Sequence, residues 1–476
     1  MAQNRIPDRV EKIHMIAVCG TGMGALACML QDMGYDVTGS DANIYPPMSD
    51  FLIQKGIRLY QGFTEKNLGC EPDLVIIGNA VPAVNPEAVE VMKKGIPFCS
   101  MPQALNFFAA DGKKIILVTG THGKTTTASI MAHLLYTADL DPGFMIGGIL
   151  KGFNSNYRLG NGEYIVIEGD EYDTAFFDKG PKFLHFDPFI TIITSVEFDH
   201  ADIFSNLDHV KQVFRQLVEK IPEQRLILAC DGDEKVKDVL KNCPGRIRTY
   251  GKGAADILFE DAETAQDAET MRSCTRYTAK INTGTALKIN TPLMGTHNIM
   301  NSLAAAAAAQ DIGISDRDII KGLKTFAGIK RRQEIRGVKN QITIMDDFAH
   351  HPTAVRETLA AVKPFYQKGR VIAVFEPRTN SSMRNIFQHI YPAAFDNADL
   401  VCVCRPSKIE KIPRAERFSA RQLAEDINKR GGKAFYFDNA DAIVDFLKLK
   451  AAKEDLILIM SNGGFDNIHQ KLFDAL

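Results

Sequence analysis

An apolar run, Ile115-Ile116-Leu117-Val118, passes through Thr119 into Gly120-Thr121-His122-Gly123-Lys124-Thr125-Thr126 and then into helix-forming residues. Few patterns restrict a fold so tightly. A short apolar run ending in glycine reads as a buried strand, and a helix directly after it is the first half of a strand-helix-strand crossover, which joins parallel strands. The turn also has chemistry of its own. Backbone N–H groups of Gly120 through Lys124 converge at a helix N-terminus, Lys124 adds a full positive charge, and the Thr125 hydroxyl offers a ligand to Mg²⁺. Together they form a cradle for a nucleotide triphosphate, ATP or GTP. The longer form of this pattern has glycine at position 118, where the chain has Val118, so the match is to the compact form.

At 476 residues the chain exceeds a single ordinary core, and about three domains are expected. Its 56 basic and 58 acidic residues leave a formal charge of −2, so no global field draws it to nucleic acid or anionic membrane. A small anionic substrate has to be held by local groups. The nine cysteines are scattered, with no Cys-x-x-Cys pair, which fits free thiols in a reducing compartment. With no apolar leader at the N-terminus and no run of roughly 18 apolar residues, a cytoplasmic location is expected.

Three α/β segments follow one another. In the first, a strand over 13–18, a glycine turn, a helix over 25–33 and a strand over 36–39 precede Asp41, with further strands at 74–77 and 97–99. Gly20-Thr21-Gly22-Met23-Gly24-Ala25 fits the dinucleotide fingerprint with alanine in the third position, and Asp41 stands about 20 residues on, where a ribose partner belongs. That pattern alone suggests NAD. Its physical content, a diphosphate on a helix N-terminus with a carboxylate near a sugar, suits a nucleotide-diphosphate sugar equally.

The second segment adds strands over 164–167 and 190–194, ending in Glu168-Gly169-Asp170-Glu171 and Glu197-Phe198-Asp199-His200. Parallel strands present such ends at one ligand-binding edge, so Glu168 and His200 join Thr125 as candidate Mg²⁺ ligands. Asp170, Glu171, Asp173, Asp199 and Asp202 are alternatives. Asn298 and Asn301 lie in a helix with six consecutive alanines, Ala304 to Ala309, a run explained by packing.

The third segment carries strands over 342–345, 371–375, 400–403 and 456–460. Arg331 and Arg332 stand at the boundary before it, suited to reach a γ-phosphate. Asp346, His350 and His351 form a candidate cluster for positioning an amine or taking its proton, although the histidine pair beside Pro352 also suits a helix start. Arg378, at a strand end, suits a carboxylate.

In order, the Gly-Thr-His-Gly-Lys-Thr-Thr-Thr loop, Glu168-Gly-Asp-Glu171, Glu197-Phe-Asp-His200, His297-Asn298-x-x-Asn301, Arg331-Arg332 and Asp346-Asp347-x-x-His350-His351-Pro352 resemble the Mur ligase superfamily over essentially the whole chain. The resemblance implies three α/β domains: a Rossmann-like N-terminal domain (1–110) for a UDP-sugar, a central P-loop ATPase-type domain (111–327), and a Rossmann-like C-terminal domain (328–476) for the amino substrate. It implies ATP and Mg²⁺, and amide formation through an acyl phosphate. Stretches 39–49, 171–179, 376–380 and 461–465 are similar to the branch that joins UDP-N-acetylmuramate to a diaminopimelate-containing tripeptide. The sister branch, which adds L-alanine, shares the core without them in this form.

Carried over by position, Gly20, Thr21, Gly22, Met23, Asp41 and Asn79 would hold the UDP-sugar. Gly120, Thr121, His122, Gly123, Lys124, Thr125, Thr126, Asn298 and Arg332 would hold ATP, and Thr125, Glu168 and His200 the metal. Lys124, Glu168, His200, Arg332, Asp346 and His350 are the expected catalytic set, and His351, Arg378 and Asn380 would line the peptide side. The chain departs from the family at Ser195, where asparagine is usual, and at Asp466-Asn467, where glycines are common. Outside ligases, an NAD-linked oxidoreductase and a nucleotide-switch binding protein are the competing classes. A monomer or weak homo-oligomer is expected.

Overall fold

The structure is a computed structural model that describes residues 4–44, 48–266, 273–281 and 286–476. Tyr45, Pro46 and Pro47, part of one stretch that carries the resemblance, lie outside the described residues. By contact the chain divides into two units: Met1–Glu197 with Asp208–Ile257 and Ala304–Gly322, and Phe198–Leu207 with Leu258–Leu303 and Leu323–Leu476.

The first unit opens with β1 (Lys12–Ile16), α1 (Thr21–Asp32), β2 (Asp36–Asp41), α2 (Met48–Gln54), β3 (Arg58–Gln61), β4 (Leu74–Ile77), α3 (Pro86–Lys94), β5 (Phe98–Ser100) and α4 (Met101–Leu105). The five strands are parallel in the order β3-β2-β1-β4-β5. The winding reverses between β1 and β4, so a crevice opens at their C-terminal ends, where the Gly20 turn and Asn79 leave the sheet. α1 starts four residues before the expected Ala25. Its glycines pack closely: a Cβ on Gly24 would lie 2.4 Å from Met48 Sδ, so tertiary fit outweighs glycine's poor helix propensity.

The unit continues through β6 (Lys114–Thr119), α5 (Lys124–Thr137), β7 (Gly143–Leu150), β8 (Ser155–Arg158), β9 (Tyr164–Gly169), β10 (Asp173–Ala175), β11 (Asp178–Pro181), β12 (Pro188–Ile193), α6 (Leu207–Val218), β13 (Leu226–Cys230), α7 (Glu234–Val239) and β14 (Arg246–Gly251). Here the order is β14-β13-β12-β6-β9-β7-β8, with β6 between two parallel neighbours. Buried on both faces, β6 can be apolar throughout, which is why it reads as a continuous run. β10 and β11 form a separate hairpin whose Phe176 and Phe177 pack on the N-terminal core of Ile16, Val75, Ile77 and Phe98.

The second unit contains β15 (Ile257–Gln266), β16 (Ser273–Lys280) and β17 (Ala286–Thr291), an antiparallel set absent from the sequence-based expectation. Helices α8 (Thr296–Asp311) and α9 (Asp316–Thr325) follow, and their residues 304–322 belong to the first unit. Then come β18 (Glu334–Lys339), β19 (Ile342–Asp347), α10 (Pro352–Val362), β20 (Val371–Phe375), α11 (Tyr391–Ala394), β21 (Leu400–Cys404), α12 (Ala420–Lys429), β22 (Ala434–Phe437), α13 (Ala440–Lys450), β23 (Leu456–Met460) and α14 (Ile468–Ala475). The sheet order is β18-β19-β23-β20-β21-β22, parallel except for β18. Alternate residues of β20 and β23 enter two cores: Val371, Ala373, Phe375, Leu456 and Leu458 on one face, Ile372, Val374, Ile457 and Ile459 on the other. Among the described residues, no helix is long and apolar enough to cross a membrane.

Candidate active site

The register of the central sheet aligns Val118 with Glu168 on β9 and with Ile192 on β12, so the glycine loop, the first acidic cluster and Ser195 meet at one edge. Gly120 has φ +128°, and a Cβ there would lie 2.1 Å from Thr194 Oγ1, so only glycine fits. Gly123, at φ +82°, turns the chain into α5. The loop is fastened on its outer side. Ser195 O accepts the Thr121 N–H at 2.9 Å, Ser195 Oγ accepts the His122 N–H at 2.9 Å, and Glu197 N–H donates to Thr121 Oγ1 at 2.7 Å. The His122 ring nitrogen Nε2 lies 3.1 Å from Glu197 Oε2. Ser195, noticed in the sequence only as a departure, is thus a structural partner of the loop.

Within the loop, Lys124 Nζ donates to Gly120 O at 2.7 Å and to Glu171 Oε2 at 2.8 Å. Burial works against its charge, but Glu171, Asp170 and Glu168 outweigh burial and raise its pKa. Thr125 Oγ1 donates to Glu168 Oε1 at 2.9 Å, and Gly147 N–H on β7 donates to Glu168 Oε2 at 2.7 Å. Burial, then the nearby Asp170, push the Glu168 carboxyl above its ordinary range. Asp170 is held near 2: burial would raise it, but Lys182, with Nζ 2.9 Å away, and Lys124 prevail. A hydroxyl and a carboxylate side by side at the mouth of an anion cradle are hard oxygen donors, a set that fits Mg²⁺. Lys182 carries no recognisable motif and was not expected here.

At the N-terminal crevice, Gly20 is the cap residue of α1, and Thr21, Gly22 and buried Met23 form its first turn. Asp41 ends β2 with both carboxylate oxygens on backbone N–H groups, Oδ2 on Cys19 at 2.9 Å and Oδ1 on Asn43 at 3.0 Å. It therefore shapes the glycine turn. Asn79 is exposed just beyond β4.

The second unit gathers a different set. His200, at φ +50°, belongs to its segment Phe198–Leu207, where the His200 N–H donates to Asp199 Oδ1 at 2.7 Å. His350 Nε2 lies 3.8 Å from Asp199 Oδ2, and its Nδ1 lies 2.9 Å from Phe348 O. Burial would raise Asp199, yet His350, His200 and His351 keep it well below the carboxylate range. Asn380 Nδ2 donates to Asp202 Oδ2 at 2.9 Å. His200, His350 and Asn380 are thus tied to the 199–202 segment, and Asp199 and Asp202 have partners there.

Of the expected Asp346–His350–His351 cluster, His350 and His351 both act on Asp199, and each of the three side chains also has contacts of its own. Asp346 is buried between Arg331 Nε and His469 Nε2, both at 3.3 Å. His351 caps α10, its Nδ1 accepting the Thr353 N–H at 3.2 Å, which is the helix-start role. Of the two arginines, Arg331 is committed to the C-terminal loop, donating to Ser461 O at 2.6 Å and Gly463 O at 2.7 Å. Arg332 lies over the Phe348 ring, 4.7 Å from its centroid. Arg378 stands 3.7 Å from Glu376 Oε2, which accepts Ser461 Oγ–H at 2.7 Å. Asn298 Nδ2 donates to Met294 O at 2.9 Å and to Gln333 Oε1 at 3.2 Å, an internal network. Neither His469 nor Gln333 had a signal in the sequence, since each is identified only by partners distant along the chain.

Models of the Mur ligase family match three stretches: the catalytic domain at residues 12–113, the middle domain at 118–309 and the glutamate ligase domain at 331–463. The chain is 38% identical over 466 residues to the UDP-N-acetylmuramate–L-alanyl-γ-D-glutamyl-meso-2,6-diaminoheptandioate ligase of Escherichia coli K12, covering 98% of each. It is 33% identical over 466 residues to the UDP-N-acetylmuramate–L-alanine ligase of Clostridium acetobutylicum, covering 96% of each. Among solved structures it is similar to a murein peptide ligase from Psychrobacter arcticus, with 33% identity, 98% coverage of both chains and a TM-score of 0.71.

Proposed function

The chain belongs to the Mur ligase family and is an ATP-dependent ligase, and from that premise we propose that it joins UDP-N-acetylmuramate to L-alanyl-γ-D-glutamyl-meso-diaminopimelate, giving ADP and phosphate. The observation that carries the chemistry is the grouping of Lys124, Thr125 and Glu168 at one sheet edge on the phosphate loop. The acceptor rests on the full-length similarity to ligases named for that tripeptide. The proposed organisation is 1–110 for the UDP-sugar, 111–327 for ATP and 328–476 for the peptide, in the cytoplasm, where free thiols persist.

A carboxylate is a poor acylating agent, so it is first activated. The muramate carboxylate oxygen attacks the γ-phosphorus, the bond to the ADP oxygen breaks, and an acyl phosphate results. The peptide amine then attacks the acyl carbon, phosphate leaves with the C–O bond electrons, and the amine loses a proton. Loop amides and Lys124 hold the phosphates in position, and Arg332 offsets charge on the moving phosphoryl group. Thr125 and Glu168 would hold Mg²⁺, which would supply charge against the β- and γ-phosphates; His200 is the further ligand expected from the sequence. His350, oriented by the Phe348 carbonyl and Asp199, suits the amine proton. Gly20 through Met23, Asp41 and Asn79 are assigned to the UDP-sugar, and His351, Arg378 and Asn380 to the peptide side.

The test is an incubation of ATP, Mg²⁺ and UDP-N-acetylmuramate with tripeptide or L-alanine in parallel, read by the mass of the UDP-linked product. Tripeptide addition with release of ADP is expected. Faster L-alanine addition would reassign the acceptor, and AMP with pyrophosphate would eliminate the acyl phosphate route.

A further inference from the structure

We propose that Glu171 is a resident anion of the triphosphate cradle, which a nucleotide must displace from Lys124, and that it thereby makes the site select metal-loaded over metal-free nucleotide. This rests on the reading of the loop as the ATP site. The Lys124–Glu171 contact is short, 2.8 Å, and sealed: the two side chains are 11% and 3% exposed. A charge-assisted hydrogen bond shielded from water is stronger than one at the surface. The same ammonium is what a bound triphosphate would need, so two anions compete for one cation.

Glu168, Asp170 and Glu171 are the three carboxylates that act on Lys124. Lys182 is paired with Asp170 at 2.9 Å. Three acidic side chains therefore already crowd these two ammonium groups before any phosphate arrives. A metal-free nucleotide would add several negative charges to a site already short of positive charge. A nucleotide that brings a divalent cation supplies the missing charge and gives the released Glu171 carboxylate something to face. Without Glu171, metal-free nucleotide would meet an ammonium with no carboxylate hydrogen-bonded to it, and only the more indirect pull of Asp170 and Glu168 would remain.

Titration calorimetry of ADP, once in EDTA and once with Mg²⁺, into the wild type and Glu171→Gln tests this. The glutamine keeps the volume and a hydrogen bond while removing the charge. Metal-free ADP should bind the variant on the order of tenfold tighter or better, the range of a lost charge-assisted competitor. Binding of ADP with Mg²⁺ should gain less, so the preference for the metal-loaded form shrinks. Glu171→Ala should show the same direction if the glutamine variant folds poorly. Metal-free ADP binding both variants no tighter than the wild type overturns the proposal. A Lys124→Ala chain that binds ADP as the wild type does would instead remove the loop from nucleotide binding, a failure of the ATP-site reading and not of the Glu171 competition.

Discussion

Single residues divide into those whose geometry is contained in their own motif and those defined by a distant partner. Gly120, Gly123, Lys124 and Thr125 were legible because strand, turn and helix are contiguous, and the backbone they require admits few other residues. Asp346 was legible as a residue and not as a role, because its partner His469 is on the last helix, beyond any local pattern. Ser195 is the instructive intermediate. Its hydroxyl takes the His122 N–H, one of the loop amides that a phosphate oxygen would use. Ser195→Ala releases that amide, so the melting temperature should fall by the equivalent of about 1 kcal/mol, the net worth of a hydrogen bond, while the KM for ATP decreases. A KM that rises would show that the serine positions the amide for phosphate and does not withhold it.

At the level of elements, strands buried on both faces were readable as apolar runs, whereas β16 and β17 are buried on one face, alternate short of any apolar run, and lack that signal. The N-terminal sheet holds a polar group that no pattern announced. His14 on β1 and Glu87 on α3 are fully buried, with Nε2 and Oε2 at 3.3 Å, and Glu87 also accepts from Ser40 and Asn67. Burial alone would lower the His14 pKa, but its bonds to Cys70 and Glu87 raise it above 6.5, so its contribution is complete below that value and lost as pH rises through the folded-state pKa. Burial would raise Glu87, but His14, Ser40 and Asn67 hold it below 4.5, so its contribution is complete above that value and lost as pH falls through the folded-state pKa. Together they stabilise most between 4.5 and 6.5. Glu87→Gln should cost about 3 kcal/mol near pH 6 and shrink toward pH 8, seen as the difference between wild-type and variant melting curves across pH. A difference independent of pH would show that the pair is not ionised in the folded state.

For the whole molecule, the order of motifs suggested three consecutive bodies, and the chain does match the family's three models in that order. Packing is not linear, and that was not readable from motifs. The first unit needs residues 304–322, which carry six fully buried alanines and Gly322, where a Cβ would lie 2.6 Å from Leu134 Cδ2. A chain truncated after residue 300 should therefore lose the cooperative calorimetric transition of the first unit; a fragment that melts as sharply as the full chain would refute this. The same interleaving has a consequence in time. A chain leaves the ribosome at about 5–20 residues per second, so the nucleotide loop emerges on the order of ten seconds before the helix that completes its surroundings. During that interval the nascent polypeptide displays apolar surface with no intramolecular cover, which makes it a substrate for chaperones. A pause in translation ahead of residue 304 would lengthen that exposure.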